Sequence, residues 1–538
     1  MLGCHLVLLM IVVNDLQSAA LAERTDNDHE GEKQMGEGLA FEVYISLGLY
    51  FALMLAIGWY AYHRSTGDLS EYMLGGRNLG PGVTALSAGA SDMSGWMLLG
   101  LPGAVMVSGL SGMWIAVGLS IGAYLNYVWV APRLRTYTEV ARDSITIPDY
   151  FENRFHDQTR ILRLVSAVII LVFFTLYTSA GMVSGGVLFE SAFGLDYRTG
   201  LIVTSVVVVA YTLFGGFLAV SMTDFVQGVI MLLALIIVPL VTFDVLGGIG
   251  PTVDIVRQLD PKLTSMTEGL TVLGFLSLMA WGLGYAGQPH IIVRFMAIKS
   301  VRQLKTARRI GMSWMIVSVI GALFTGFAGL AYVSSKNVAL GDRETIFVYL
   351  SQVLFHPLMS GFLLAAILAA IMSTISSQLL VTSSALVSDF YHTFLRKDAS
   401  DRELVAMGRL AVLAVALMSI GLSLTPNDTI LGLVGNAWAG FGASFGPVII
   451  MSLYWKKMSR WAALAGMVTG AVTVIVWISV PALKGLMYEM IPAFALSVVA
   501  IIVFSVLTGH SRPMVRDGYD AFEREHDEAL KPEPSPKS

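Results

Sequence analysis

One cysteine, Cys4, is all that this chain of 538 residues contains. That excludes an intrachain disulfide and a cysteine-built metal site. Charge is scarce as well. Asp, Glu, Lys and Arg make up 13% of the residues, about half of what a soluble domain carries. The net charge is only −4, and no basic block resembles a nucleic-acid surface. No nucleophile–histidine–acid set and no His/Cys cluster gathers at membrane depth, which argues against a membrane enzyme. What is there is apolar: hydrophobic residues reach 55% and mean hydropathy is +0.70. The 53 Gly and 27 Met suit close helix packing in lipid, where small residues allow contact and Met fills gaps. A methionine copper site is a remote alternative. The composition describes an all-α polytopic membrane protein whose evident partner is the bilayer, with no obligate protein partner in view.

Apolar runs of about 20 residues are candidate spanning helices. Thirteen follow residue 40, at roughly 42–62, 81–107, 111–131, 164–193, 199–216, 219–243, 269–293, 310–334, 358–388, 408–425, 429–455, 461–482 and 488–508. The chain thus divides into an extension (1–41), a transmembrane domain (42–508) and a polar tail (509–538). In the extension, Leu6 to Val13 is too short to span, and Ala20-Leu21-Ala22 resembles a signal-peptidase site without a positive n-region. A cleaved signal, a mis-assigned start codon and a retained tail all remain open. With thirteen spans, most of the 34 Lys and Arg fall on one side, including the run Arg294 to Arg309. That side is expected to be cytoplasmic, with the first span starting outside and the C-terminus inside.

The most informative run contains Ser91-Asp92-Met93-Ser94-Gly95-Trp96. A carboxylate at the centre of a spanning helix costs at least ~2.5–3.5 kcal/mol, so a cation or polar substrate is its expected partner. Small residues and glycines around Asp92 make the helix easy to unwind there. Five spans later, Trp281-Gly282-Leu283-Gly284-Tyr285-Ala286-Gly287-Gln288-Pro289 has three Gly and a Pro in nine residues, a second expected interruption. Matched interruptions mark inverted-repeat transporters. The bland alternative is glycine-mediated helix packing. An interruption exposes carbonyls, here near Ala90 and Met93, that suit a cation. It also exposes N–H groups, near Ser94, Gly95 and Trp96, that suit an anion.

The ninth span adds Ala370, Ser373, Thr374 and Ser377 on one helical face. Their hydroxyl and carbonyl oxygens suit a hard cation, though Ser and Thr in such places more often only pack or back-bond. Trp281, Tyr285 and Pro289, at four-residue spacing, would form an aromatic wall, and Tyr177 adds a polar-tipped ring. Such a wall with few donors fits a small-ligand pocket. His290 stands alone near a helix end and is expected to cap or pack.

Four strings carry a resemblance to a known family: Gly75-Gly76-Arg77, Ala85 to Ala104, Trp281 to His290 and Ala365 to Leu380. On these, the chain resembles the sodium/solute symporters, and within them the sodium/proline branch, over residues 42–508. The resemblance implies a LeuT-type inverted-repeat core of five plus five helices within about thirteen, and Na⁺-driven uptake of L-proline through the plasma membrane. It implies that Na⁺, the coupling ion, is held by the carbonyls of Ala90, Met93 and Ala370 and the hydroxyls of Ser373 and Thr374. Asp92 and Asp224 would assist, although Asp224 could equally be a charge near a helix start. It further implies that proline contacts Ser94, Gly95, Tyr177, Trp281, Tyr285 and Pro289. The long extension departs from the family pattern, as does Ala286 where an aromatic residue is expected. Symport of pantothenate, sialic acid or a betaine-like osmolyte is the alternative function, with a proline sensor a weaker one.

Overall fold

The computed structural model describes residues 40–64, 73–426, 428–509 and 511–531. The signal-like segment expected in the extension lies outside the described residues. The described residues are almost wholly helical; one isolated parallel bridge joins Leu79 to Ile298.

Ten stretches are long and apolar enough to cross a membrane, and two shorter apolar helices accompany them. Each of the thirteen runs lies mostly on helix, with non-helical residues inside the runs at 81–107 and 269–293. Two of them share the stretch Trp96–Val140, which turns at Gly109, where φ is +58° and ψ −143°. A long helix, Tyr197–Val245, is broken at Gly216 with φ +60° and ψ −177°. Only glycine takes such angles without strain. The chain also begins many of its helices deliberately. Pro81, Pro289 and Pro357 occupy first helical positions, and Thr271, Thr429 and Ser459 accept hydrogen bonds from N–H groups of the first turn. Both devices satisfy or remove donors that lipid could not.

The helices that matter for the site are α1 (Phe41–Arg64), α2 (Pro81–Asp92), α3 (Leu101–Ser108), α4 (Met113–Leu125), α5 (Ala131–Val140), α6 (Ile147–Arg154), α7 (Ile161–Phe193), α8 (Tyr197–Val245), α9 (Val272–Met279), α10 (Pro289–Ala297), α11 (Leu304–Ser335), α12 (Pro357–Ser384), α13 (Ile430–Tyr454), α14 (Met490–Leu507) and α15 (Pro513–Leu530). Helix α12 lies at the centre, packed on α1, α2, α7 and α8, and nearly all its side chains are buried. By contrast α1 and α14 expose Leu49, Leu53, Leu55, Ile502 and Phe504. An apolar outer surface of this kind faces lipid. The protein is a multi-pass membrane protein.

Two features differ from the sequence reading, and a third lay outside it. Arg294 is not in a basic loop: it sits on α10 and is fully buried. The tail is not merely polar, because it contains α15. Val515, Tyr519, Phe522 and His526 recur at helical spacing and are buried, with the Phe522 ring stacked on Tyr137 of α5 at 4.1 Å. Arg133 pairs with Glu523, and Arg302 donates to the carbonyls of Ala529 and Lys531. Finally, the ends of α2 and α10 are tied together. Leu79 N donates to Ala297 O at 3.1 Å and Lys299 N to Leu79 O at 3.0 Å. The Gly75-Gly76-Arg77 string serves the same junction. Its backbone is left-handed throughout, and Arg77 donates to Met296 O and Ser144 O, each at 2.8 Å.

Candidate functional site

Helix α2 ends at Asp92, and Met93 leaves helical geometry with φ −85° and ψ +81°. A π-helical turn, Trp96–Gly100, then leads into α3. The first interruption is therefore real and short. It folds in on the Asp92 carbonyl, which accepts from Ser94 N at 3.1 Å, the Trp96 indole at 3.1 Å and Tyr177 OH at 3.3 Å. The Ser94 N–H, expected to face an anion, is used inside the turn. Its hydroxyl is buried with no hydrogen-bond partner among the described residues. Gly95 is required by packing: a Cβ there would lie 2.5 Å from the Ser184 side chain and 3.3 Å from Ile371.

The face of α12 meets this turn. Ser373 Oγ donates to Ala90 O at 2.7 Å and to Ala370 O at 3.1 Å. Thr374 Oγ1 reaches Ala90 O at 3.3 Å. Four of the five expected ion ligands thus form one buried cluster of neutral oxygens. Met93 is buried three residues beyond Ala90, and no hydrogen bond joins it to the cluster. A hydroxyl this close to a carbonyl can turn its lone pairs to a cation the two would share, and an all-oxygen set suits Na⁺. Asp92 is not part of the cluster. Its Oδ2 accepts from Tyr285 OH at 2.7 Å, and its Oδ1 has no partner among the described residues.

The second interruption is a 3₁₀ stretch, Ala280–Gly287, followed by Gln288 in extended geometry with φ −86° and ψ +105°. Trp281 packs against Trp96 at 6.2 Å between ring centroids and against Tyr488 at 5.4 Å. Trp438 of α13 covers Gly284, meets the Tyr285 ring edge-on at 5.1 Å, and donates to Trp281 O at 2.8 Å. The glycine-packing alternative is therefore also correct: Gly282 lies directly on Gly118 and Gly122 of α4. The contacts Trp96–Trp281 and Tyr285–Asp92 bring the two interruptions face to face, and Tyr177 of α7 joins them through the Asp92 carbonyl. Pro289 stands apart, lining a separate small cavity with Thr146, Ile170 and Val381. Ala286 is buried in the 3₁₀ stretch. His290 packs rather than caps: its ring nitrogens have no hydrogen-bond partner among the described residues, and its ring stands steeply to those of Phe174 and Tyr177 at 5.4 and 5.7 Å.

Asp224 lies well inside α8, beyond the Gly216 break, so it is not a helix-start charge. Its Oδ2 accepts from Ser87 Oγ at 2.8 Å and Arg294 Nη2 at 3.2 Å, with Ser377 Oγ at 3.4 Å. Both ion-pair members are wholly buried. The sequence reading did not find Arg294 or Trp438. Arg294 was readable as a charge at the edge of an apolar run; nothing in the sequence singled out Trp438.

Helices that cross a membrane and two interruptions that meet beside an oxygen cluster define an ion-coupled secondary transporter rather than an enzyme. The solved structure of a substrate-bound, outward-open Na⁺-coupled sialic acid symporter overlays this chain with a TM-score of 0.74 at 18% identity, covering 87% of this chain and 98% of that one. Mhp1, a nucleobase-cation-symport-1 family transporter, overlays with a TM-score of 0.51 at 14% identity, over 84% and 98%. The fold is of the LeuT type. The profile of the sodium:solute symporter family matches residues 72–470, and the chain belongs to that family. The high-affinity proline transporter PutP of Bacillus subtilis (strain 168) is 61% identical over 470 residues, 87% of this chain and 99% of the relative. The osmoregulated proline transporter OpuE of the same strain is 60% identical over 471 residues, covering 87% and 96%. A sodium/proline symporter of Staphylococcus aureus (strain NCTC 8325 / PS 47) is 56% identical over 478 residues, covering 87% and 93%.

Proposed function

We propose that this protein is a sodium/proline symporter that takes up L-proline by alternating access, with one Na⁺ per proline. The observation that carries this reading is the 61% identity to a proline transporter across 87% of the chain. The oxygen cluster on α2 and α12 supports it, because it offers a small hard cation a ready set of ligands. In this reading Na⁺ binds to Ala90, Ala370, Ser373 and Thr374, with Met93 completing the set. Asp92 lowers the cost of bringing the ion to that depth, and Asp224 assists on the ion's path. Proline lies between the interruptions, against Ser94, Gly95, Tyr177, Trp281 and Tyr285, and Pro289, which lines the separate cavity, acts on that site only through the end of the second interruption, which it follows. The transport unit is residues 42–508. The basic loops and the tail with α15 face the cytoplasm, the first span starts outside, and the membrane is the plasma membrane.

The energetics suffice. At 100 mV one entering Na⁺ gains ~2.3 kcal/mol, and a tenfold gradient adds about 1.4 kcal/mol. At ~1.4 kcal/mol per tenfold, one Na⁺ per solute concentrates a neutral zwitterion at most roughly 500-fold. Ordering of the first interruption by Na⁺ would raise affinity for proline, since the interruption contacts both. The test is uptake of radiolabelled proline into proteoliposomes with and without an inward Na⁺ gradient, and with an imposed inside-negative potential. Both should accelerate uptake. Flux indifferent to Na⁺ would refute the coupling, and efficient competition by pantothenate, sialic acid or a betaine would refute the choice of substrate.

A further inference from the structure

Helix α15 has no task in the transport reading, yet it is firmly docked, and it lies across a seam. On one side of the seam is α5, which is bonded to the place where α2 and α10 meet. Arg135 Nε donates to Ile298 O at 2.7 Å, and Ile298 is the bridge partner of Leu79. On the other side are the ends of α13 and α6. Tyr150 OH and Ser452 Oγ join them at 2.9 Å, and Arg154 Nε donates to Ser452 O at 3.1 Å. The two sides also meet directly, where Arg133 Nε donates to Leu453 O at 3.0 Å and Tyr454 OH to Trp129 O at 2.9 Å.

The two halves of α15 are fastened to different sides. Its start is fixed to the α13 side. Ser511 N donates to Lys457 O at 3.0 Å and Ser511 Oγ to Lys456 O at 2.9 Å. Lys456 pairs with Asp520 at 2.6 Å, and Arg154 of α6 faces the Tyr519 ring at 5.3 Å. Its second half grips the α5 side. Phe522 stacks on Tyr137, Glu523 pairs with Arg133, and His526 Nδ1 lies 3.2 Å from Thr136 Oγ1. Arg302, four residues past Ile298, donates to the carbonyls of Ala529 and Lys531, a favourable place for a cation at a helix C-terminus.

We propose that α15 is a strap across this seam, and that its second half leaves α5 and Arg302 in every transport cycle. The inference rests on the symporter reading, in which α2 and α10 move against the rest of the bundle. Helix α5 is bonded to their meeting point and follows it, while the α13 side keeps the start of α15 in place. A helix held by both sides cannot stay on both once they part. The second half is the part that yields, because a ring stack, a surface ion pair and a few hydrogen bonds are each small attachments. The strap therefore sets how readily the chain leaves the arrangement in which α15 is docked.

The experiment uses the full chain carrying Cys4→Ser, Thr136→Cys and His526→Cys. A short bifunctional methanethiosulfonate ties α15 to α5 in detergent, the protein is reconstituted in proteoliposomes, and a membrane-permeant reductant later frees it. Cross-linking should cut Na⁺-driven uptake of radiolabelled proline by about tenfold or more, and reduction should restore it. Equilibrium binding of proline at saturating Na⁺ should stay within about twofold, because binding precedes the movement that the strap restrains. A second measurement needs no substitution. Hydrogen exchange of the wild-type amides at 522–530 should be about fivefold faster with Na⁺ and proline together than with Na⁺ alone, since only then does the cycle run. Cross-linked protein that transports within about twofold of wild type, or that loses proline binding along with uptake, overturns the strap. Should the double-cysteine protein be inactive even when reduced, exchange decides: amides at 522–530 that do not respond to proline overturn it. A wild type without Na⁺-driven proline uptake overturns it together with the symporter reading.

Discussion

Asp92 and Asp224 are both buried aspartates, on helices α2 and α8 that pack together, yet they are held in opposite ways. Asp224 has a permanent counter-charge in Arg294 and two hydroxyls besides. Asp92 has one neutral donor, Tyr285, and no Lys or Arg pairs with it among the described residues. A buried carboxylate with its cation built in holds its helices together whatever path runs past it, since removing either partner leaves an unpaired charge. A buried carboxylate without one leaves its counter-charge to be supplied from outside the chain. The difference teaches that charge at membrane depth is informative only together with its partner.

The sharpest way to break this comparison is Asp92→Asn. Neutralising the carboxylate should cut Na⁺-driven uptake by more than a hundredfold, about 2.7 kcal/mol of lost coupling, with a normal amount of folded protein. Uptake assays and fluorescence-detected gel filtration check this together. Unfolding in place of inactivity would give Asp92 the same holding role. Arg294→Ala should do the converse and destabilise the fold by ~3–5 kcal/mol, seen as a lower thermal midpoint in detergent. A paired Arg294→Met, Asp224→Leu variant should recover most of that stability; if it does not, the ion pair does more than join α8 to α10. Ser373→Ala and Thr374→Ala should each raise the half-saturating Na⁺ concentration by about tenfold, for loss of one oxygen ligand, while leaving thermal stability near wild type. A wild-type Na⁺ response in both would remove the ion from the cluster on α12.

The smallest effect lies far from both aspartates. Burial, and then nearby Arg133, hold the His526 imidazole on α15 below its ordinary value of 6.5. The docked helix therefore prefers neutral His526. Its contribution to docking is complete above that value and declines as pH falls below it. Protection of the α15 amides, with the intrinsic pH dependence of exchange divided out, should fall modestly between about pH 7.5 and pH 5.5, and His526→Gln should abolish the difference.

How much of this was legible depended on range along the chain. The interruption at Asp92 was readable because glycine, small residues and a lone charge crowd one apolar run. The face of α12 was readable because a helix repeats every three to four residues. The Asp224–Arg294 pair was not, since the two lie on different helices and only the fold brings them to 3.2 Å. Trp438 was hidden for a similar reason: its partner is the bare backbone of Gly284, and a missing side chain names no neighbour. Helix α15 was read as tail because its four buried residues, Val515, Tyr519, Phe522 and His526, are diluted by charges on the opposite face. The sequence reading favoured unwinding for the glycines of the second interruption and kept close packing as the alternative; both hold, because Gly282 and Gly284 also let α4 and Trp438 approach. Local pattern thus marked where the helices give way, and remote packing decided what fills the space.

The short ladder at Leu79, with bonds to Ala297 and Lys299 and Arg77 braced on Met296, has a mechanical consequence. It welds the foot of one interrupted helix to the foot of the other, so neither can tilt there without dragging its twin. Rocking at this junction swings the two as a single crank, and the breaks at Met93 and Gln288 are where each can bend away from it. A ligand that stiffens either of those knuckles is therefore felt at once in both arms.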